Sequence, residues 1–343
     1  MFGFSPSTNR PALTAFYQAA SLNPGQHSAL HAAAPQAAHI EWLYWAIFWI
    51  CFGAFVLTVA AFARGSARTY IPQAEPLPPI KEHPNDRKAV WCVGGAIAVT
   101  VLSLFAVLFM SVVTGKQVEG ATAERNVLTI QITGHQWWWE AQYPNSQADQ
   151  TITTANEIHV PVGRRVMVLT NSADVIHSFW APSITGKRDL VPGYSSAFAF
   201  QVDKPGSYHG QCAEFCGLQH AHMGFAVIAE PEDQFEEWER QQIAPARDPS
   251  TPEELRGRQV FLTHACVMCH TLRGTDAASR VGPDLTHIAS RKMIAAETLP
   301  NTRGALAGWI SDPQIIKPGN RMTPNPMQPD DLQDLITYLG SLQ

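Results

Sequence analysis

The sequence predicts a membrane-anchored protein in three parts: a two-helix transmembrane hairpin, an all-β sandwich and an all-α terminal domain. Three observations carry this. Two long stretches near the N-terminus contain no charged residue, the middle of the chain holds short alternating runs between turn signals, and the C-terminal stretch returns to helical signals. The chain has 343 residues, 45% hydrophobic and only 15% charged, yet its mean hydropathy is −0.09. That average excludes a many-helix transporter, and the low charge excludes a disordered chain. A net charge of −5 argues against nucleic acid as a partner.

The first uncharged run is Trp42–Ala63, between Glu41 and Arg64; the second is Ala89–Gly115. Both exceed the roughly 20 residues needed to cross a bilayer core. Trp42, Trp45 and Trp91 stand near their ends, where amphipathic rings favour the interface. The loop between the runs carries Arg64, Arg68, Lys81, Arg87 and Lys88, whereas only Arg10 is basic before them. The positive-inside rule therefore keeps the loop cytoplasmic and both termini outside. Residues 1–39 lack a charged leader and a continuous apolar run, so no signal peptide is read there.

The period then shifts from helical to extended. Asn126–Thr133 alternates, and further strand-like runs are Glu157–Pro161, Arg165–Thr170, Ser196–Val202 and Gly224–Ile228. Turn signals at Pro161–Gly163, Pro192–Gly193 and Pro205–Gly206 separate them, which indicates a β-sandwich. Glu232–Gln242 reads as a charged helix with Phe235 and Trp238 on one side, and proline-rich Ile243–Pro252 as a linker. A capping-box-like Thr251–Glu254 opens the terminal unit, which closes on an amphipathic helix at Asp330–Leu342. The expected boundaries are 1–39 for the leading segment, 40–118 for the hairpin (helices at about 41–63 and 89–114), 119–242, 243–252 and 253–343.

Two motifs carry chemistry. Cys266-Val-Met-Cys269-His270 is the C-x-x-C-H of covalent haem c attachment: one helical turn sets two thiols under the porphyrin vinyl groups, and His270 faces the iron. A His/Met haem suits electron transfer. Met322, in a stiff proline-rich loop before the last helix, is the better placed second ligand; Met327 is the alternative. Met268 lies on the wrong side of His270. The second motif runs from Cys212 to Met223: two thiols, imidazoles at His220 and His222, and a thioether, a soft set that favours copper. An exported Cys212–Cys216 disulfide is the competing reading. Two bridging-spaced cysteines suggest two metals, and spacing alone does not choose between His220 and His222. Cys51 and Cys92, inside the spans, read as packing residues.

From about Pro35 to its end the chain resembles subunit II of haem–copper cytochrome c oxidases in the caa-type form, with a fused C-terminal cytochrome c domain. The family pattern C-x-E-x-C-G-x-x-H-x-x-M is matched from Cys212 to Met223; Ser172–Trp180, Gly134–Trp139 and Pro35–Ala37 also resemble family segments. The resemblance implies a Greek-key cupredoxin fold and a class I-like cytochrome c domain. It implies a dinuclear Cu(A) centre bridged by Cys212 and Cys216, with His177 and His220 as terminal ligands. Met223 is then a weak ligand, Glu214 binds through its backbone carbonyl, and His222 is not a ligand. In the family the Glu214 side chain also helps hold magnesium at the interface with subunit I. Trp137 matches the tryptophan through which electrons reach Cu(A); its other reading is a buried core aromatic.

The implied function is electron transfer from an external reductant to haem c, to Cu(A), and on to haem a and the oxygen-reducing haem–copper centre of subunit I, with proton pumping there. Neither span of this chain carries an ionisable residue for a proton path. The implied partners are subunits I and III, the membrane, and a donor that is cytochrome c or a quinol–cytochrome c reductase complex. The implied location is a bacterial inner membrane with both redox domains periplasmic. The family often has proline directly after the haem methionine, where this chain has Thr323. The alternatives are a Cu(A) subunit of a nitric oxide reductase, a membrane-anchored electron carrier without an oxidase partner, and a copper-delivery protein.

Overall fold

A computed structural model of the chain describes residues 27–68, 87–119 and 126–343. Most of the leading segment (1–26), the loop residues 69–86 with Lys81, and residues 120–125 lie outside the described residues.

The two uncharged runs form continuous helices, α1 (Pro35–Arg68) and α2 (Arg87–Glu119). Each is long and apolar enough to span a bilayer. Large side chains such as Phe62, Trp91 and Phe109 are exposed along them, a surface that lipid or a partner must cover. Both helices outrun the expected bounds because charged residues can continue a helix past the apolar core, their heads reaching water. Pro35 opens α1, where a missing N–H leaves no hydrogen bond unmade.

The chain from 128 to 230 folds as a sandwich of two five-stranded mixed sheets. In chain order its strands are β1 (Leu128–His135), β2 (Trp138–Tyr143), β3 (Ile152–Ala155), β4 (Glu157–Pro161), β5 (Arg165–Ser172), β6 (His177–Trp180), β7 (Arg188–Leu190), β8 (Ser196–Gln201), β9 (Gly206–Cys212) and β10 (Gly224–Glu230). One sheet runs β3-β2-β1-β5-β8 and the other β4-β10-β9-β6-β7. The β1–β5 and β4–β10 pairs are parallel and the remaining pairs antiparallel. Alternation sets the core: Leu128, Ile130 and Ile132 of β1 and Val166 and Val168 of β5 point inward. Trp139 is fully buried against Phe179 and Phe225.

Part of the leading segment belongs to this unit. Ala33 donates to Ser183 O (2.8 Å) and accepts from Asp203 N (3.1 Å), and Ala33 and Ala34 are buried in the sandwich core. At the sandwich edge α3 (Glu232–Ile243) buries Phe235 and stacks Trp238 on His159, with ring centroids 4.3 Å apart.

Residues 244–251 form neither helix nor strand, yet they are held. Ala246 N donates to Arg273 O (2.9 Å), and Ala244 O accepts from His287 Nε2 (3.0 Å). Their prolines exclude a helix without preventing attachment. The terminal unit then opens with α4 (Pro252–Thr263), capped as expected by Thr251 Oγ1 on Glu254 N (3.2 Å). It continues through a short hairpin, β11 (Met293–Ile294) with β12 (Leu299–Pro300), to α5 (Arg303–Ser311), α6 (Pro313–Ile316) and α7 (Pro329–Leu339). Helix α7 buries Leu335, Ile336, Tyr338 and Leu339 against α4, and Arg256 on α4 grips Asp334 on α7 at 2.6 Å.

The α4–α7 crossing needs Gly257, since a Cβ there would lie 2.1 Å from the Asp334 carbonyl oxygen. Gly257→Ala should lower the stability of this domain by about 1–3 kcal/mol through overpacking. Gly308→Ala, on α5 with open space around it, should raise stability by about 0.5–1 kcal/mol. Urea unfolding of the two variants checks both signs.

Candidate metal and haem centres

Strand pairing assembles the first cluster. β6 runs against β9 with Phe179 opposite Cys212, which brings His177 beside the end of β9. Cys212 N donates to Met223 O (3.0 Å), so the intervening loop leaves and returns at one fixed rung. Within that frame the Cys212 and Cys216 sulfurs are 3.8 Å apart and unbonded. His177 Nδ1 is 3.9 Å from Cys212 Sγ, and His220 Nδ1 is 3.6 Å from Cys216 Sγ. Met223 Sδ is 3.8 Å from Cys216 Sγ, and the Glu214 carbonyl is 3.2 Å from Cys212 Sγ. His177, Cys212, Cys216 and Met223 are all buried.

The surroundings orient this set. His177 Nε2 donates to Asp174 Oδ1 (2.8 Å), which leaves Nδ1 facing the sulfurs. Gly134 makes room for the imidazole: a Cβ there would meet its Cδ2 at 2.7 Å. The Cys216 carbonyl accepts from Trp137 Nε1 (3.0 Å) and Gln136 Nε2 (2.8 Å). Gly217, at φ +113°, passes close under the Trp137 ring.

The two thiols behave as one unit. The Cys216 S–H, followed by His177 and backbone groups, holds Cys212 far below the ordinary thiol pKa, although burial opposes it. Cys212 and burial push Cys216 up in turn, so the pair favours one thiolate. Hydrogen bonds from His177, Gln136 N and Val175 N keep Asp174 ionised against the opposing effect of burial. Two sulfurs, two imidazole nitrogens, a thioether and a carbonyl make a soft set that suits a copper pair.

His222 is engaged elsewhere: its Nδ1 pairs with Gln219 Oε1 (2.8 Å). Trp137 is 9% exposed, and the Glu214 side chain is exposed.

The second cluster lies in the terminal unit. The expected helical turn at Cys266–His270 is a tighter 3₁₀ turn, Ala265–Met268. Cys269 N and His270 N both donate to Cys266 O (3.2 and 2.9 Å), which keeps two half-buried free thiols on one short turn. His270 Nδ1 donates to Pro283 O (2.8 Å), leaving Nε2 to face a ligand. Burial lowers the His270 pKa and so favours the neutral, ligating form. Gly282 touches the ring, and a Cβ would lie 2.8 Å from its Cε1. Two thiols and a neutral, oriented imidazole on one turn are the residues a covalent haem needs.

The loop holding Met322 is pinned on both sides of that residue. Its N–H donates to Asn320 Oδ1 (2.8 Å), and its carbonyl accepts from Gln314 Nε2 (2.7 Å). Met327 instead packs on the domain core, and Met268 is exposed.

Two family descriptions match the domains that carry these clusters. The family described as "Cytochrome C oxidase subunit II, periplasmic domain" matches residues 128–230, and "Cytochrome c" matches 255–343. A cytochrome c oxidase subunit 2 of Alkalihalophilus pseudofirmus is 33% identical over 296 residues, 86% of this chain and 82% of that protein. The chain belongs to the cytochrome c oxidase subunit II family. A subunit 2 of Bacillus sp. (strain PS3) is 30% identical over 78% of this chain and 77% of its own length. The solved periplasmic domain of the Bradyrhizobium japonicum subunit II covers 35% of this chain and 96% of that one, at 31% identity and TM-score 0.33. The subunit is part of an oxidase that associates with subunit I, is anchored by two helices, and carries a copper-type β domain fused to a haem-type domain.

The structure adds groups that sequence reasoning did not single out. Asp174 sits inside the Ser172–Trp180 segment already noted, but its role depends on the fold around His177. Lys317 and Arg321 reach the copper-side residues from the haem domain. No local pattern marks them.

Gly134→Ala should push the His177 ring off its position. The metal-free protein should lose about 1–3 kcal/mol of unfolding free energy, and copper uptake should fall with it. Urea unfolding and copper titration of the variant check both.

Proposed function

We propose that this subunit accepts electrons from an external reductant at one covalent haem c and passes them through dinuclear Cu(A) to haem a and the oxygen-reducing centre of subunit I, where protons are pumped. The observation that carries the reading is the convergence of His177, Cys212, Cys216, His220 and Met223 on one cluster, together with a free Cys266/Cys269/His270 turn in the same chain. The chemistry both groups supply when bound is one-electron transfer.

The chain's own residues set the conditions for it. Cys212, Cys216, His177, His220, Met223 and the Glu214 carbonyl would hold the copper pair, with the two cysteines as its shared ligands. Asp174 fixes the His177 tautomer, and the sandwich core keeps water from the sulfurs. Cys266 and Cys269 would hold a haem covalently, His270 and Met322 would be its iron ligands, and Trp137 would be the relay toward Cu(A). The exposed Glu214 carboxylate would help hold magnesium against subunit I. The donor is cytochrome c or a quinol–cytochrome c reductase complex, and subunit III joins the assembly. The helices sit in a bacterial inner membrane with both redox domains on the periplasmic side.

Optical and EPR spectroscopy of the purified full chain tests this. The expected result is one covalent low-spin haem and two coppers sharing one unpaired electron. Cys212→Ser should lose the copper signal and keep the haem. Met322→Leu should remove the sulfur-to-iron absorption band, and Met327→Leu should leave it. An intact Cys212–Cys216 disulfide without copper in functional protein would overturn the reading.

A further inference from the structure

We propose that Lys317 is the positioning residue that locks the haem domain onto the copper-binding loop, so that the distance between the two centres is set by a buried interdomain clamp. This rests on the reading above that the two clusters hold haem and copper.

Lys317 opens the loop that carries Met322 and is 2% exposed. Its Nζ donates to three carbonyls: Trp137 O (3.1 Å), His222 O (2.7 Å) and Ala295 O (3.1 Å). An ammonium has three donors and no acceptor, so these bonds use its full capacity. Two of the acceptors belong to the β domain, one in the β1–β2 turn and one in the metal-binding loop. Trp137 is the residue whose indole donates to Cys216 O, and His222 directly precedes Met223. One side chain from the haem domain thereby grips the β domain's backbone at two points next to residues of the copper cluster.

The third acceptor shows that the docking is built on both faces. Ala295, Ala296 and Glu297 are consecutive non-glycine residues with φ of 54°, 55° and 63°. Such conformations cost energy and persist only where the surroundings over-determine them. The last two of these residues also meet the β domain. Ala296 O accepts from Gly224 N (3.2 Å), and Glu297 Oε2 pairs with His209 Nδ1 (2.6 Å). Next to Lys317, Pro318 O accepts from Gln219 Nε2 (2.7 Å). Beside Met322, Arg321 reaches Asp174 Oδ2 (3.2 Å), the carboxylate that orients His177. The loop 317–322 thus contacts the copper side at its beginning and at its end.

A buried amine is a poor source of net stability and a good source of register. Burial pushes the Lys317 pKa down to about 7, a cost that an apolar side chain would avoid. Its three bonds fix one geometry, and electron transfer depends steeply on geometry.

The test uses the full chain, with Lys317→Met and Arg321→Gln as variants; Arg321 is exposed, so its replacement leaves the core intact. In the wild type, Lys317 should resist acetylation by acetic anhydride while the exposed Lys187 and Lys204 react. In metal-free Lys317→Met, amide hydrogen exchange should rise together in 217–224 and 316–322 while the cores of both domains stay protected. With both centres loaded, haem-to-copper transfer should slow about tenfold or more with unchanged haem and copper spectra, and Arg321→Gln should slow it less. Acetylation of Lys317 as fast as Lys204, or unchanged exchange and transfer in Lys317→Met, would overturn the clamp. If Lys317→Met does not fold, unchanged transfer in Arg321→Gln overturns it. A wild-type chain that binds neither haem nor copper would instead overturn the functional reading, and the clamp with it.

Discussion

The hydrogen bond from Cys212 N to Met223 O is the constraint on which the rest of the molecule hangs. It is the last rung between β9 and β10, and it forces the ligand-bearing loop to start and end at one place. From that rung Cys212 and Met223 point into the cluster, Cys216 and His220 are delivered by the loop, and His177 arrives on the neighbouring strand. The loop's outward carbonyls then become the docking points for everything else: Cys216 O for Trp137 and Gln136, and His222 O for Lys317. A backbone ladder bond contributes only about 1 kcal/mol net. Its importance here is geometric, because it fixes one ligand arrangement out of many the loop could otherwise sample.

The parts legible in the sequence are those whose signal is local. The two spans show as charge-free runs, and β1, β4, β5, β8 and β10 as alternating or β-branched stretches. The strands that gave no signal have identifiable reasons. β9 carries glycine where a Cβ at Gly210 would strike the Phe225 ring at 2.1 Å, so its propensity is sacrificed to packing. β6 is almost entirely buried and shows no alternation.

The site divides in the same way. Cys212 to Met223 and Cys266 to His270 are compact motifs whose chemistry is written in their spacing. His177 needed the family resemblance, because only the β6–β9 pairing brings it near. The proposed choice of His220 over His222 rests on the loop's 3₁₀ turn at 220–222, which sets one ring near the Cys216 sulfur and pairs the other with Gln219. Lys317, Arg321 and Asp174 are ordinary charged residues until the fold joins them across more than a hundred positions of chain. The leading segment, blank in sequence terms, supplies an edge contact for the sandwich at Ala33.

Fusing the two domains turns an encounter between two proteins into an arrangement within one chain, and the interdomain bonds remove the residual freedom a linker would leave. The central claim is therefore that transfer from haem to copper is intramolecular and geometrically fixed. Photoreduction of the haem in the purified full chain, followed by absorbance at both centres, tests it directly. The account predicts that haem reoxidation and copper reduction proceed at one common rate, independent of protein concentration. A rate that rises in proportion to protein concentration, or haem reoxidation without matching copper reduction, would contradict it.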